Sequence, residues 1–283
     1  MPGPRIDLHT HSDASDGTDA PAELLRAAGR AGLAAVGLTD HDTVRGWEAA
    51  SAVVPETGVA LVRGAEISCR ADGVSVHLLS YLHDPAEPAL LEELERSRHA
   101  RLGRAETMVE RLAGDYPITW ESVRAQATDE ATIGRPHIAD ALVEAGVVAD
   151  RTEAFRTILA ASGPYYVRYR APDAVEMVAR IRAAGGVPVL AHPRAASRGR
   201  VVTEATIASM VDAGLFGLEI DHRDHTDAAV AELATLARRL GLERTGASDY
   251  HGTGKHNRLG EHLTAAEVLE RLEDEGRLPV VRP

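Results

Sequence analysis

The amino-acid sequence predicts an α/β fold, a barrel of seven strand-and-helix units with a helical insertion domain over its C-terminal face. Short apolar runs alternate with stretches whose apolar residues recur every three or four positions, as in successive βα units. Several of the apolar runs end in a carboxylate or an imidazole, as strands that point into an active face do. One interval between runs is far longer than the others, which indicates the insertion.

The predicted strands are short apolar runs bounded by polar residues or glycine. They cover residues 5–9, 35–39, 59–66, 75–81, 187–192, 217–221 and 244–249. The main helices between them are predicted at 20–32, 172–185, 204–214 and 227–241, each ending on a glycine, as helix C-termini often do. A capping-box pattern at 264–267 begins the last helix.

Roughly 100 residues separate the fourth predicted strand from the fifth. Residues 87–171 have helical patterns with arginine-rich turns, interrupted by the sequence GRPH at 134–137. We therefore expect a first part of the barrel at 1–98, a helical insertion domain at 99–170 and a second part of the barrel at 171–283.

Composition limits the classes of function. A net charge of −12 and an aromatic content of 4% argue against binding of long nucleic acid, which needs a basic surface and stacking side chains. A small anionic substrate is compatible with this charge, because bound metal ions reverse the local field. The single cysteine, Cys69, excludes an internal disulfide and is expected to be buried. With no apolar run of ~18 residues and no signal peptide, we expect a cytoplasmic protein without membrane contact.

Histidines and carboxylates at the strand ends form the strongest functional pattern. His9 and His11 lie two apart in a predicted strand, so both side chains point to one side and suit one ion. Buried ionisable groups are costly unless they are paired or bound to metal. Their convergence on one barrel face therefore predicts a metal centre. The other members of this pattern are Asp16, the segment TDHD at 39–42, Glu66, His77, His192 and the segment SDYHG at 248–252.

These segments resemble the PHP (polymerase and histidinol phosphatase) superfamily. The match follows the family order from DLHTHS at 7–12 through TDHD at 39–42 and AHP at 191–193 to SDYHG at 248–252. The resemblance implies a distorted seven-stranded barrel with a trinuclear metal site. It implies a first ion held by His9, His11, Glu66 and Asp249, a second by Asp16, His41 and His251, and a third by bridging Glu66, His77 and His192.

The insertion and the sequence GRPH resemble the stand-alone nucleotide phosphatase branch of that superfamily. This implies hydrolysis of phosphate monoesters in AMP, in 3′,5′-nucleoside bisphosphates or in short oligoribonucleotides, by metal-activated hydroxide. Two to three divalent ions are expected. Ligands without thiolate suit Mn²⁺, Zn²⁺ or Fe²⁺ alike. Asp249 and His251 are expected to take part in catalysis as well as in metal binding.

Five residues are candidates for contact with the substrate. His222 follows the sixth strand and is either a proton donor to the leaving oxygen, a phosphate ligand or an exposed loop histidine. Arg194 and Arg198 follow the fifth strand, where a phosphate would enter, or else lie on the surface. Arg135 and His137 lie at a predicted helix start, which suits an anion because its N–H groups are unpaired.

Other polar residues are assigned supporting or neutral roles. Asp7, Asp40 and Asp42 are expected to orient ligand imidazoles. The remaining histidines lack a strand-end position and are expected to be solvated; they are His83, His99, His225, His256 and His262.

Two other functions remain open. One is an amidohydrolase-like barrel that cleaves C–N bonds, although the carboxylated strand lysine common there has no counterpart, since the only lysine, Lys255, follows the final strand. The other is a non-enzymatic, metal-bearing nucleotide sensor, which would not require a complete ligand set. Phosphate release from a nucleotide panel distinguishes all three.

Overall fold

A computed structural model describes residues 3–129, 131–196 and 199–283. Seven strands form one sheet in which every strand lies beside its neighbours in the sequence. A further bridge joins Thr10 to Tyr250 and brings the two edges of the sheet together, so the expected barrel is confirmed. The strands are β1 (Ile6–Thr10), β2 (Ala35–Leu38), β3 (Ala60–Ala71), β4 (Val74–Tyr81), β5 (Val187–Leu190), β6 (Gly217–Asp221) and β7 (Glu243–Gly246).

Eleven α-helices occur in the described ranges. Helix α10 is typical of those that cover the barrel: its N-cap Thr226 accepts a hydrogen bond from the Ala229 N–H, and Gly241 ends it with φ of 68°. The helices are α1 (Pro21–Arg30), α2 (Trp47–Ala52), α3 (Val54–Thr57), α4 (Pro88–Leu112), α5 (Trp120–Arg124), α6 (Arg135–Glu144), α7 (Arg151–Arg156), α8 (Ala174–Ala183), α9 (Glu204–Asp212), α10 (Asp227–Leu240) and α11 (Ala266–Glu275).

Strand β4 runs antiparallel to both of its neighbours, whereas the other described pairs of strands are parallel. A two-residue turn joins it to β3, with positive φ at both Asp72 and Gly73, as hairpin turns require. Strand β3 therefore extends five residues beyond its predicted end at Glu66. His77 on β4 pairs with Ser68, two residues from Glu66, so the side chains of His77 and Glu66 share one face of the sheet.

Helices α4 to α7 pack around an apolar cluster of their own, centred on Met108, Ile138 and Leu142. Helix α4 begins at Pro88, so the expected boundary between residues 98 and 99 falls inside this helix. The division into a barrel and an insertion domain at 99–170 stays a prediction. Among the described residues, three hydrogen bonds join this region to the loop after β1. They run from Thr128 Oγ1 to Asp13 O (3.1 Å), from Thr132 N to Ala14 O (3.1 Å) and from Arg151 Nη1 to Asp16 O (2.9 Å).

His83 is fully buried, so the expectation that it is solvated is wrong. Its ring packs 5.0 Å from the Trp47 ring, and its Nδ1 lies 2.8 Å from Ser80 Oγ. Gly186 makes room for it, because a Cβ there would lie 2.8 Å from the His83 Cβ. Cys69 is fully buried, as expected.

The remaining histidines of that group differ in exposure. His99 and His256 are exposed, as expected, whereas His225 and His262 are only partly exposed. His225 is held by hydrogen bonds, since its Nδ1 lies 2.8 Å from the Ile220 carbonyl oxygen. No helix in the described ranges is long and apolar enough to cross a bilayer.

Candidate metal centre

The structure brings the nine predicted metal ligands to one end of the barrel. All of them are buried except His77, which is partly exposed. Three sets of their donor atoms lie close enough together to surround a single ion. The sets are His11, Asp16, His41 and His251; His9, His11 and Glu66; and His41, Glu66 and His77.

The donors around His9 are spaced as one ion would require. His9 Nε2 and His11 Nε2 are 3.0 Å apart, and they lie 3.4 and 3.2 Å from Glu66 Oε2. Asp249 Oδ1 completes the group at 3.6 and 3.5 Å from the same two nitrogens. Four donors about 2.0–2.2 Å from a tetrahedral ion are themselves about 3.4 Å apart, so this geometry fits a divalent ion.

The orientation of the His9 ring supports this fit. Its Nδ1 lies 2.9 Å from Glu219 Oε1, so the ring donates its Nδ1 proton to this carboxylate and directs Nε2 toward His11. Burial raises the pKa of Glu219, but the charge of His9 outweighs burial and lowers that pKa to about 2. Glu219 is therefore an ionised carboxylate that fixes a ligand imidazole.

Asp16 lies at the centre of another donor group. Its Oδ1 is 3.3 Å from His251 Nε2 and 3.7 Å from His11 Nδ1, and its Oδ2 is 3.6 Å from His41 Nε2. His251 Nε2 and His41 Nδ1 are buried and form no hydrogen bond of good geometry in the described part of the chain, although each lies within 3.3 Å of a carboxylate oxygen. Buried nitrogens of this kind are costly unless an ion occupies the space that they face.

Glu66 connects the groups through both of its oxygens. Oε1 lies 2.7 Å from His77 Nδ1 and 3.2 Å from His192 Nε2, whereas Oε2 lies 3.1 Å from His41 Nδ1. Burial would raise the pKa of Glu66, but His77 and His41 together hold it well below its ordinary value. This position is compatible with the bridging role that the resemblance implies.

Three residues of the centre have a backbone conformation that is rare outside glycine. Asp42, His192 and Asp249 have φ of 52°, 30° and 54°. Such strain persists where surrounding contacts enforce it, and it concentrates at functional sites. Glu219 Oε2 accepts a hydrogen bond from His192 N at 2.9 Å, and the Asn257 amide donates to the Asp249 carbonyl oxygen at 3.1 Å.

The expectation that Asp7, Asp40 and Asp42 orient imidazoles is wrong. Their oxygens instead accept hydrogen bonds from backbone N–H groups and serine hydroxyls. These hydrogen bonds hold the loops that carry the ligands. The contacts are Asp7 with Ser248 N (3.0 Å), Asp40 with the hydroxyls of Ser12 and Ser15 (both 2.6 Å), and Asp42 with Ser68 N (2.9 Å). The imidazole-orienting carboxylate is Glu219, which the sequence analysis missed. The available signal was an acidic residue in the middle of a strand, between Leu218 and Ile220.

His222 is buried, which rules out the exposed loop histidine. Its Nδ1 accepts a hydrogen bond from Asp224 N at 3.0 Å, so the proton of the neutral ring is on Nε2. That Nε2 lies 3.7 Å from Asp249 Oδ2 and has no hydrogen-bond partner among the described residues. The ring thus presents an N–H donor at the edge of the centre.

A cavity of about 1180 Å³ opens beside the donor groups, and Asp16, His41, His77 and His192 form part of its wall. Among the described residues, nine arginines and Lys255 line it, against only two carboxylates. The protein carries a net charge of −12, but this cavity is strongly positive. The overall charge of the sequence does not reveal this concentration of basic side chains, because they come from separate segments of the chain.

Three of these arginines come from helices α4 and α6. Arg101 Nη1 donates to Ser68 Oγ at 2.8 Å and lies 3.5 Å from Asp42 Oδ2. Arg104 lies over the rings of two tyrosines, and its Nε and Nη2 are buried without a partner in the described ranges. Burial and the neighbouring Arg135 lower the pKa of Arg104 to about 10. Clustered buried cations are unfavourable by themselves, so this wall suits an anionic ligand.

The five candidates for substrate contact separate in the structure. Arg135 lines the cavity, where it lies over the Phe155 ring and its Nη1 donates to the Leu159 carbonyl oxygen at 3.3 Å. His137 is not on the wall: it is buried, and its Nδ1 accepts a hydrogen bond from Gly134 N at 3.2 Å.

Arg194 also lies away from the wall. Its Nε donates to Glu232 Oε1 at 2.9 Å, and its Nη1 donates to the Val202 carbonyl oxygen at 2.8 Å. The guanidinium is thus bound by other groups of the protein, and its side chain is only 10% exposed. Arg198 lies outside the described residues.

With this geometry in place, comparison with known proteins identifies the family. Residues 7–162, more than half of the chain, match the model of the PHP domain. The chain belongs to the PHP family. Its relatives include the 3′,5′-nucleoside bisphosphate phosphatase of Chromobacterium violaceum, which is 35% identical over 89% of both chains. A 5′-3′ exoribonuclease of Haemophilus influenzae is 30% identical over 94% of this chain and 96% of its own.

A solved structure from Bifidobacterium adolescentis, provisionally described as a metal-dependent phosphoesterase, is 41% identical. It superposes with a TM-score of 0.95 and covers 97% of both chains. This PHP protein is accordingly a hydrolase, a metal-dependent phosphoesterase whose buried histidines and carboxylates bind divalent metal.

Proposed function

We propose that this PHP protein hydrolyses phosphate monoesters of nucleotides, with AMP or a 3′,5′-nucleoside bisphosphate as substrate and short oligoribonucleotides as a further class. The observation that carries the proposal is the positive cavity that opens directly onto the ligand groups. A nucleotide offers both an ester for the metal centre and, in a bisphosphate, a second anion for the arginine wall. The two relatives named above act on nucleotide phosphates or RNA, which supports this class.

The metal centre is proposed to hold two to three ions of Mn²⁺, Zn²⁺ or Fe²⁺ on the nine ligands. When bound, such ions supply hydroxide near neutral pH and neutralise phosphoryl oxygens. His9 and His11 direct their Nε2 atoms toward the centre, and the Glu219 carboxylate accepts the Nδ1 proton of His9, so its Nε2 would be free to bind an ion. Asp249 and His251 contribute to catalysis as ligands that hold the ions in position.

His222 is proposed to donate a hydrogen bond from its Nε2–H to the leaving oxygen, while the proton stays on the ring. Its ring is buried and its Nδ1 accepts from the Asp224 N–H, so Nε2 is the nitrogen that can donate. A donor aimed at the leaving oxygen stabilises the negative charge that develops there, and this matters most when the alcohol is a poor leaving group, as a nucleoside hydroxyl is.

Arg104 and Arg135 are proposed to hold a phosphate that is not cleaved. Both line the cavity, and the Arg104 Nε and Nη2 groups lack partners within the described residues. Arg135 is also the first residue of α6, whose unpaired N–H groups favour an anion.

The test is phosphate release from AMP, nucleoside bisphosphates and short oligoribonucleotides by chain stripped of metal and reloaded with Mn²⁺. We expect release from at least one nucleotide and none after chelation. C–N cleavage of a cyclic amide without phosphate release would favour the amidohydrolase alternative. Tight nucleotide binding without turnover would favour the sensor.

A further inference from the structure

Lys255, the only lysine in the chain, lies on the wall of the cavity beside a predicted metal ligand. Its Nζ is 3.0 Å from Asp249 Oδ2. The other oxygen of that carboxylate, Oδ1, faces His9, His11 and His251 at 3.4–3.6 Å. The two oxygens of Asp249 therefore face different surroundings, one the donor group and the other Lys255.

The loop that carries Lys255 is closely packed on both sides. A Cβ at Gly252, where φ is 66°, would lie 1.9 Å from Thr18 Oγ1, and one at Gly254 would lie 2.2 Å from Arg151 Nη1. Asn257 fixes the far end of the loop, because its amide donates to the Ser248 carbonyl oxygen at 2.6 Å. The loop thus holds Lys255 at one place on the wall.

The same Asp249 oxygen lies 3.7 Å from His222 Nε2, so Lys255 and His222 converge on one point. Lys255 is about one-third exposed and accessible from the cavity, whereas His222 is buried. An ammonium has three N–H donors, so it can keep its bond to Asp249 while a second N–H contacts a ligand. Lysine is also a compact point charge, unlike the planar guanidinium of the arginines that line the cavity.

We infer that Lys255 is a catalytic residue whose ammonium donates a hydrogen bond to a non-bridging oxygen of the phosphoryl group held beside Asp249. This role rests on the proposed function. The ammonium offsets negative charge on the phosphoryl oxygens on the side that His222 also faces. A purely structural role would instead be confined to balancing the charge of Asp249.

Binding of inorganic phosphate to the Mn²⁺-loaded enzyme, measured by calorimetry, tests this contact without turnover. Lys255→Met should weaken phosphate binding about ten- to a hundred-fold, the worth of a charged hydrogen bond, with metal content unchanged. Arg258→Met is the matched control, since Arg258 lies three residues further on and is highly exposed; it should bind phosphate like the parent. Unchanged phosphate affinity in Lys255→Met, or loss of metal from it, would overturn the inference.

Because the chain has one lysine, an amine-directed probe gives a second test. Pyridoxal 5′-phosphate condenses with an amine, releasing water, and borohydride reduces the imine to a stable amine that peptide mass spectrometry locates. We expect the label on Lys255 of the Mn²⁺-loaded enzyme, and we expect saturating inorganic phosphate to suppress it. Label confined to the N-terminal amine, or label on Lys255 that phosphate does not suppress, would contradict the inference. If no nucleotide is hydrolysed, the proposed function fails, whereas these two measurements still decide whether Lys255 binds a phosphoryl group.

Discussion

Glu219 Oε1 lies 2.9 Å from His9 Nδ1, and both side chains are fully buried. The carboxylate holds the imidazole in the tautomer that leaves Nε2 free for a metal ion. In Glu219→Gln, one carboxylate oxygen becomes an NH₂ group, which cannot accept a hydrogen bond. The amide can therefore accept from only one of His9 Nδ1 and His192 N. We expect about 10- to 100-fold weaker metal binding, the usual cost of losing such a partner. Metal titration after dialysis measures it, with the exposed Glu267→Gln as control; equal affinities would contradict this role.

Glu66 contacts five ligand histidines through its two oxygens, so its loss should affect more than one ion. Glu66→Gln keeps the shape but removes the charge. We expect activity to fall by several orders of magnitude and the number of ions per chain to decrease. Elemental analysis beside phosphate release measures both, and an unchanged metal complement would exclude the bridge.

His222→Ala removes a ring whose Nε2 faces the centre without being in the proposed ligand set. We expect metal content to persist and the rate on a nucleotide to fall about 10²–10³-fold, as for loss of a donor to a developing oxyanion. A nitrophenyl phosphate, whose leaving oxygen develops a more stable negative charge, should lose less. Equal losses on the two substrates would indicate phosphate binding rather than donation to the leaving oxygen.

Arg135 lines the cavity at the start of α6. Loss of a charged contact to phosphate costs about 1.5–3 kcal/mol, or about ten- to a hundred-fold. Arg135→Ala should therefore lower kcat/KM on a 3′,5′-bisphosphate more than on AMP, with metal content intact. Arg124→Ala, an exposed arginine on α5, is the control. Small and equal effects on both substrates would remove Arg135 from the site.

Burial lowers the pKa of His83 from 6.5 to about 4, so the folded protein keeps this ring neutral where the unfolded chain protonates it. The unfolded state then binds more protons between pH 4 and 6.5, and the free energy of unfolding falls as the pH falls through this range. Below pH 4 the full loss in the free energy of unfolding is about 3 kcal/mol, because a shift of one pKa unit corresponds to about 1.36 kcal/mol.

His83→Asn keeps a donor near Ser80 Oγ but does not titrate. Denaturant unfolding should show a smaller loss of stability between pH 6.5 and 4 than in the parent. The contributions of other titrating groups are the same in both proteins, so they cancel when the two pH profiles are subtracted. His99→Asn, at an exposed position on α4, should leave the pH dependence as it is. Parallel pH profiles for His83→Asn and the parent would show that His83 does not contribute.

Local patterns predicted the barrel and the clustering of the nine ligands, because ligands such as His9 and His192 lie at or just beyond the ends of apolar runs. The reversal of β4 was missed, although Asp72-Gly73 is a recognised two-residue hairpin turn. Arg101 could not be found in this way. It lies on an arginine-rich helix, and only the fold brings it to Ser68, which is 33 residues away in the sequence.

The hydrogen bonds from Thr132 N to Ala14 O and from Arg151 Nη1 to Asp16 O tie the cavity wall to the loop that carries Asp16. Helices α4 to α7 therefore cannot be replaced without affecting the metal centre. A change that widened the cavity for a longer substrate would also shift a group that faces three of the histidines. In this protein, we expect evolutionary changes in substrate range to be accompanied by changes in metal preference.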